Sequence, residues 1–366
     1  MRSGATKASA IGAATTISMR STYDTVGHNA VVQDVPGRVS SEGIVTKPLP
    51  RYRRVEAGPP LVLQGRDLAL LEDVWRYRLL STSQLETLRA SDQKVELRFP
   101  SRLTLTRRLK LLYHNRYLTR IPRPLAKGSQ EPVYVLDREG AKALSREHGE
   151  VQARTASQLP KAAALEHLLA VNQVRLSLQI SCAGSPDTQL LAWHSSDTVK
   201  FSVATAPQPG ERAYKVRLIP DGFLSMRVLT GNQGTPSRQA QRLFYFVELD
   251  LGGESSRVLL DKCRTYYLYW HSGGFAHDFH LPQGVGFRVL FVVPTVKRSQ
   301  TVLSAIRHLT AGQSMFWVTE QAHMTPKQIL QPIWRSHAGS RHAGNGYAEG
   351  ELYDLKGAVT HKRVRT

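Results

Sequence analysis

Residues 243–250, LFYFVELD, and residues 219–222, IPDG, are the two stretches from which the fold of most of this chain follows. In the first stretch Glu248 and Asp250 alternate with aliphatic residues, so both project from one face of a strand, about 6.5 to 7 Å apart. In the second stretch Pro220 has no N–H for a sheet hydrogen bond. Asp221 is therefore expected at the edge, bulge or end of another strand.

The segments around these two stretches predict a mixed sheet with helices packed on its faces. A long helix is expected first, because Leu165, Leu169, Asn172 and Leu176 recur at helical spacing. The pattern then predicts strands at residues 189–194, 199–203, 216–228 and 242–251, a helix at 255–270, a strand at 287–293, a helix at 299–309 and a strand at 315–319. Residues 161–335 are thus expected to form one α+β or α/β domain.

Acidic residues on so apolar a strand need compensation, because buried, unpaired carboxylates suffer desolvation and mutual repulsion. One compensator is Mg²⁺, held by Asp221 and Glu248 from neighbouring strands, since this ion prefers oxygen ligands. Such an ion would lower the pKa of a bound water and stabilise charge on a phosphate. The other compensator is a nearby Arg or Lys that pairs with Glu248 and Asp250 at a strand end. The residues alone leave both open.

The preceding part of the chain predicts three helices and then a hairpin. Asp67 is a plausible N-cap for the first helix, Ser83 with Glu86 has the spacing of a capping box for the second, and Ser101 precedes the third. Residues 117–121 and 132–136 then alternate as two strands around Pro and Gly turn residues. Three helices and a basic hairpin are the order of a winged helix-turn-helix, expected over residues 61–150, with residues 151–160 as a linker.

In that design the third helix enters the major groove of DNA and the hairpin lies along a neighbouring backbone. Arg107, Lys110 and His114 are the predicted contacts of the helix. Arg120, Arg123 and Lys127 are the predicted contacts of the hairpin. The alternative is a basic helical bundle whose charges are merely solvated.

The charge balance favours a polyanionic partner. The 366 residues include 49 Lys and Arg against 29 Asp and Glu, a formal net charge of +20. Double-stranded DNA is the expected partner, and no membrane segment or secretory signal is recognisable, so a cytoplasmic location is expected. Cys182 and Cys263 are expected to be core residues. Residues 1–60 and 336–366 are expected to be flexible basic tails, and the oligomeric state is left open.

The Pro220-Asp221 step, followed by Glu248 in an apolar strand, resembles the PD-(D/E)xK nuclease pattern. With the winged helix in front of it, the chain resembles the replication-relaxation family of plasmids and other mobile elements over roughly residues 66–334. The resemblance implies a restriction-endonuclease-like fold, a possible Mg²⁺ cofactor, and double-stranded DNA and other replication or transfer proteins as partners. It also implies a role in the control or initiation of replication or transfer.

The chain departs from the nuclease pattern at one position. The pattern has a lysine two residues after the acidic ligand, where this sequence has Asp250. Lys262 on the following helix could fold back and supply the ammonium group, with Tyr266 one turn further on the same side. If it does not, the nuclease-like fold is retained but the site is catalytically inactive, because Asp250 replaces the motif lysine. Asp221, Glu248, Asp250 and Lys262 are therefore the predicted catalytic residues. Glu166 on the first helix of this domain could add a carboxylate to the site, but a solvated glutamate is the better explanation. His167 and His194 could face phosphate, but hydrogen-bonded structural histidines are the better explanation.

Three functions stay open at this level. The first is a DNA-binding protein of a mobile element, in which the nuclease-like domain extends the contact with DNA. The second is a Mg²⁺-dependent endonuclease or nickase. The third is a protein-interaction scaffold whose positive charge serves only solubility.

Overall fold

Four helices and a small sheet form the N-terminal part of the chain. The computed structural model describes residues 49–50, 53–123, 130–153, 160–204, 214–230, 239–337, 352–356 and 359–360. The N-terminal elements are α1 (Gly65–Tyr77), β1 (Leu80–Ser81), α2 (Thr82–Ala90), α3 (Arg102–His114), β2 (Leu118–Ile121), β3 (Val133–Leu136) and α4 (Arg138–His148). The three strands are antiparallel in the order β1-β3-β2. The predicted order of three helices followed by a hairpin is thus present.

Local side-chain caps set most helix starts. Ser101, predicted to precede the third helix, accepts a hydrogen bond from a backbone N–H group at the start of α3, and Asp137 does so at the start of α4. The prediction for α1 was wrong, because Gln64 is the N-cap and Asp67 is the third helical residue of the capping box. The prediction for α2 was also wrong, because Ser81 pairs with Gln84 in that box.

The rest of the chain is built around an eight-stranded sheet. Its elements are α5 (Ala162–Ala183), β4 (Thr188–Ser195), β5 (Phe201–Ala204), β6 (Lys215–Leu218), β7 (Gly222–Thr230), β8 (Gln239–Leu249), α6 (Ser256–His271), α7 (Gly274–Asp278), β9 (Arg288–Val293), α8 (Val296–Arg307), β10 (Phe316–Glu320), β11 (Trp334–Ser336), β12 (Leu352–Tyr353) and β13 (Val359–Thr360). The strand order is β13-β12-β11-β10-β9-β8-β7-β4, and strands β8, β9 and β10 run parallel. The mixed α+β class is confirmed.

The centre of the sheet is apolar on both faces because helices cover both. Phe244 and Phe246 of β8 face the core formed with α6 and α8, while Tyr245 and Val247 face the core formed with α5. All four side chains are buried. β8 therefore has a near-continuous apolar run instead of an alternation with exposed polar residues.

Three predicted boundaries differ from the structure. The strand expected over residues 216–228 is two strands, since the chain breaks at Pro220 and β6 pairs with β5 outside the main sheet. The C-terminal tail is not entirely separate, because β12 extends the sheet and the fully buried Leu355 accepts a hydrogen bond from Tyr245. The N-terminal tail ends before residue 60, because Arg54 donates to the carbonyls of Tyr113 and Leu118.

Helix α5 is shared by the two parts of the chain. Asn172 donates from Nδ2 to the carbonyl oxygens of Tyr77 at 3.1 Å and Leu79 at 2.7 Å, at the end of α1. On the other side of the helix, Val174 and Leu178 pack against the sheet. The N-terminal part is thus fixed to the sheet through α5. In the part of the chain that the structure describes, the helices are too short or too polar to cross a membrane.

Replacing Asn172 with alanine is expected to lower the free energy of unfolding by about 1 to 3 kcal/mol, because two buried carbonyl groups lose their donor. Chemical denaturation measures the difference. Gln93, an exposed amide, provides the control variant Gln93→Ala, which is expected to change stability by less than about 0.5 kcal/mol. Equal effects of the two substitutions on stability would contradict the role of Asn172 in joining α5 to the N-terminal part.

A candidate carboxylate site and a candidate DNA-binding surface

Asp221 and Glu248 lie side by side at the same end of two antiparallel strands. Gly222 of β7 is paired with Val247 of β8. Because the strands are antiparallel, Asp221, one residue before Gly222, lies opposite Glu248, one residue after Val247. The backbone N–H of Asp221 donates to Val247 O at 3.1 Å. The backbone N–H of Leu249 donates to Asp221 Oδ2 at 2.8 Å. The structure therefore brings together the two acidic residues predicted as metal ligands.

Glu248 is almost completely buried, with 3% of its surface exposed. Lys262 Nζ donates to Glu248 Oε2 at 3.0 Å, and the Tyr266 hydroxyl donates to Glu248 Oε1 at 2.5 Å. Lys262 and Tyr266 are four residues apart on α6 and therefore face the same side. The predicted return of Lys262 to the acidic residues is present in the structure. Burial raises the pKa of Glu248 to about 7, against the opposing effect of Lys262.

Asp250 belongs to a second ion pair next to the first. Arg298 of α8 donates from Nε to Asp250 Oδ2 at 2.6 Å, and the backbone N–H of Gly252 donates to Asp250 Oδ1 at 2.7 Å. Glu254 connects the two pairs. Its carboxylate accepts from Lys262 at 2.9 Å and its carbonyl oxygen accepts from Arg298 at 2.5 Å. Asp250, which stands where the nuclease pattern has a lysine, is thus neutralised by Arg298 of α8.

His167 is part of this cluster, and its pairing with Asp221 was not predicted from the sequence. Its Nε2 lies 2.8 Å from Asp221 Oδ1, and this hydrogen bond raises the pKa of His167. Glu166, next to it on α5, faces away and binds Arg123 at 2.8 and 2.5 Å. His194 lies outside the cluster, stacked on Phe223 at 6.0 Å between ring centroids, and burial lowers its pKa.

These residues do not fit a divalent metal ion in the arrangement observed. Each of the four carboxylate oxygens of Asp221 and Glu248 accepts a hydrogen bond from a protein donor. Lys262 supplies a positive charge to Glu248, and His167 forms a hydrogen bond with Asp221, where a metal ion would otherwise bind both carboxylates. Within the described ranges, no three His, Cys, Asp or Glu side chains are grouped closely enough to hold an ion. The geometry supports an ion-paired cluster.

The third helix of the N-terminal part presents an exposed face with two cations. Arg107 is exposed, Lys110 is half-buried, and Leu103 on the same side is 59% exposed. Neither cation forms an ion pair with any residue that the structure describes. By contrast, Arg102 of the same helix binds Glu86 and Glu131, and Arg108 binds Asp67. Positive charge on α3 is therefore divided between internal pairs and one open face.

His114 does not belong to that face, so its prediction as a DNA contact was wrong. The side chain is 2% exposed, since α3 turns it inward at the end of the helix. Its Nδ1 accepts from the backbone N–H of Val55 at 3.3 Å, and burial lowers its pKa. The segment before residue 60, which was expected to be part of a tail, covers it.

The hairpin residues differ in how accessible their charges are. The Arg120 guanidinium lies over the rings of Tyr113 at 4.6 Å and Tyr134 at 5.5 Å, within the range of cation–π interactions. Arg123 is held by Glu166, as described above. Lys127 lies outside the described residues. Arg107 and Lys110 are therefore the predicted contacts whose charge is most available to a ligand.

Comparison with known proteins identifies the family. The family model described as Replication-relaxation matches residues 71–280, which is more than half of the chain. The chain belongs to the replication-relaxation family. The match extends from α1 to the residues just after α7, so the family region includes the N-terminal helices, the hairpin and the cluster around Glu248. The resemblance found in the sequence is thus confirmed.

Other comparisons are less informative than the family model. No curated protein matches the chain significantly. A solved structure of the restriction endonuclease FokI is similar at 11% sequence identity with a TM-score of 0.26, over 73% of this chain and 46% of that chain. The chain therefore spans less than half the length of that endonuclease.

Proposed function

We propose that this member of the replication-relaxation family binds double-stranded DNA through the exposed face of α3. The N-terminal part would act as a winged helix-turn-helix, with the hairpin beside the DNA backbone. The proposed role is in the control or initiation of replication, or in transfer, of a plasmid or another mobile element. In this proposal the cluster around Glu248 stabilises the sheet domain and does not cleave DNA.

The single observation that carries this proposal is the placement of Arg107 and Lys110. Arginine and lysine on the exposed face of a third helix can reach guanine edges and phosphates. The neighbouring arginines on α3 are engaged within the protein, whereas these two are not paired with described residues. The formal net charge of +20 supports a polyanionic partner in addition.

The double substitution of Arg107 and Lys110 by alanine is expected to weaken binding to duplex DNA at least about tenfold. Fluorescence anisotropy with a labelled duplex at several salt concentrations measures the affinity. The slope of log affinity against log salt is expected to fall by about one for each phosphate that the variant no longer binds. Circular dichroism would verify that the variant folds.

The matched control is the double substitution Lys142→Ala and Arg264→Ala. It also removes one lysine and one arginine, whose side chains are 71% and 56% exposed on α4 and α6. Its effect on affinity is expected to be less than about twofold, because nonspecific charge alone contributes little per residue at these positions. The proposal would be refuted if both double variants bound duplex DNA as tightly as the unmodified protein.

Cleavage by the cluster is the competing function, and it has a direct test. Supercoiled plasmid incubated with the protein and Mg²⁺ is expected to stay intact, because all four carboxylate oxygens of Asp221 and Glu248 already accept hydrogen bonds from protein groups. Nicking that disappears in a Glu248→Ala variant would establish the nuclease and overturn this part of the proposal.

A further inference from the structure

A cleft of about 370 Å³ lies where the two parts of the chain meet. From the N-terminal part it is lined by Arg123 and Glu131, from α5 by Glu166 and Gln173, and from the ends of strands β8 and β10 by Leu251 and Gln321. Its volume is in the range of sites for small organic ligands. No residue of this cleft belongs to the ion pairs of Asp221, Glu248 or Asp250.

The cleft begins beside the proposed recognition helix. Glu131 in its wall accepts from Arg102 Nη2 at 3.0 Å, and Arg102 is the first residue of α3. Arg123 on another wall belongs to the segment that follows β2 of the hairpin. The cleft therefore lies next to the first turn of α3, the helix proposed to bind DNA. The inference rests on the proposed function in this respect.

The charges of the cleft disfavour a phosphate inside it. Arg123 is paired with Glu166, and Glu131 adds a second carboxylate to the walls. The ionisable groups of the lining are therefore already paired, and Arg123 offers no unpaired positive charge to a phosphate. An uncharged part of a nucleic acid fits these walls better than its backbone does.

The lining also contains an apolar surface and an amide donor without an acceptor. Leu251 is 43% exposed, and the lining also includes the mostly buried side chains of Leu169 and Met324, which are 7% and 2% exposed. Gln321 Nε2 is buried and donates to no residue that the structure describes. A buried donor without an acceptor is destabilising, so a ligand that supplies an acceptor would gain from the contact. A flat, uncharged ring with acceptor atoms at its edge satisfies both features.

We propose that this cleft takes up one unpaired nucleobase of the bound DNA. The ring would pack against Leu251 and Met324, and an acceptor on its edge would receive the hydrogen bond of Gln321. Taking a base out of a duplex requires unpairing and unstacking. DNA in which one base is already unpaired is therefore the preferred ligand.

The experiment measures the affinity of the unmodified protein for two labelled duplexes. One duplex is fully paired, and the other has the same sequence with a single bulged nucleotide. The bulged duplex is expected to bind about tenfold more tightly, because its extra base needs no unpairing. 2-Aminopurine at the bulge is expected to change its fluorescence on binding, since the ring leaves water. Gln321→Met and Leu251→Glu are each expected to abolish this preference and leave the affinity for the paired duplex unchanged.

Gln328→Met is the matched control, because Gln328 is an exposed glutamine outside the cleft. It is expected to retain the preference for the bulged duplex. Equal affinity of the unmodified protein for both duplexes would overturn the assignment of a nucleobase to the cleft, even if duplex binding through α3 is intact. A preference that survives both cleft substitutions would place the unpaired base elsewhere and would overturn it as well. Failure to bind either duplex would refute the proposed function itself, and this inference with it.

Discussion

Replacing Lys262 with methionine is expected to lower the free energy of unfolding by about 3 to 5 kcal/mol at pH 8. Methionine keeps most of the length of the side chain but removes the ammonium group. Glu248 is 3% exposed, so its carboxylate would lose its charged partner and gain no contact with water. The Tyr266 hydroxyl is the remaining donor to this carboxylate, and it carries no charge. Chemical denaturation, followed by tryptophan fluorescence, measures the loss.

The loss is expected to be smaller at pH 5 than at pH 8. Burial already raises the pKa of Glu248 from 4.5 to about 7, and Lys262 opposes this rise. In the Lys262→Met variant the pKa of folded Glu248 is therefore raised further. The unmodified protein already loses stability from about pH 4.5 to about 7, because folded Glu248 keeps a proton that the unfolded chain releases. The variant, with a higher folded pKa, continues to lose stability above pH 7, so the difference between the two grows there. At pH 5 Glu248 is buried as a neutral acid, which needs no cation.

Two further variants separate this explanation from a general loss of packing. Lys142→Met removes a lysine whose side chain is 71% exposed and is expected to change stability by less than about 0.5 kcal/mol. The double variant Lys262→Met and Glu248→Gln removes both charges and is expected to recover most of the loss at pH 8. The explanation fails if the single Lys262→Met variant is as stable as the unmodified protein at pH 8, or if its loss does not depend on pH.

The sequence predicted the parts of the fold that depend on neighbours in the chain. Ser101 was predicted to precede the third helix, and it accepts a backbone N–H at the start of that helix. Ser83 was misassigned, since its hydroxyl donates to Glu131, 48 residues away. The spacing from Ser83 to Glu86 has the form of a capping box, but the tertiary contact decides the conformation.

In the candidate site, too, the sequence predicted residues that local patterns place and missed partners that are distant in the chain. Asp221, Glu248 and Lys262 were predicted as a group because a proline step, strand alternation and helical spacing place them locally. His167 and Arg298 were missed as partners of Asp221 and Asp250, from which they are separated by 54 and 48 residues. Pairing of acidic residues with nearby cations was one of the two compensations that the sequence left open. The structure favours it over the metal ion because donors from α5, α6 and α8 converge on the acidic residues.

A second large effect is expected at Arg108, which directly follows the proposed DNA contact Arg107. Arg108→Ala is expected to lower the free energy of unfolding of the N-terminal part by about 3 to 5 kcal/mol, because it leaves a buried carboxylate without its charged partner. Asp67 is fully buried and accepts from Arg108 Nε at 2.6 Å as well as from Nη2. Arg108 also donates to the carbonyl of Val62 at 2.6 Å. Thermal and chemical denaturation both report the loss.

Adjacent arginines on α3 should therefore give opposite results. Arg107→Ala is expected to weaken DNA binding while stability changes by less than about 0.5 kcal/mol, since the side chain is exposed. Arg108→Ala is expected to destabilise the protein, and the double variant Arg108→Gln and Asp67→Asn to recover much of that loss by removing both charges. At temperatures where Arg108→Ala is folded, its affinity for duplex DNA should be close to that of the unmodified protein. If both single variants are folded and lose the same amount of affinity, this interpretation is wrong. The positive charge of α3 is then not divided between an inner ion pair and an outer DNA-binding face.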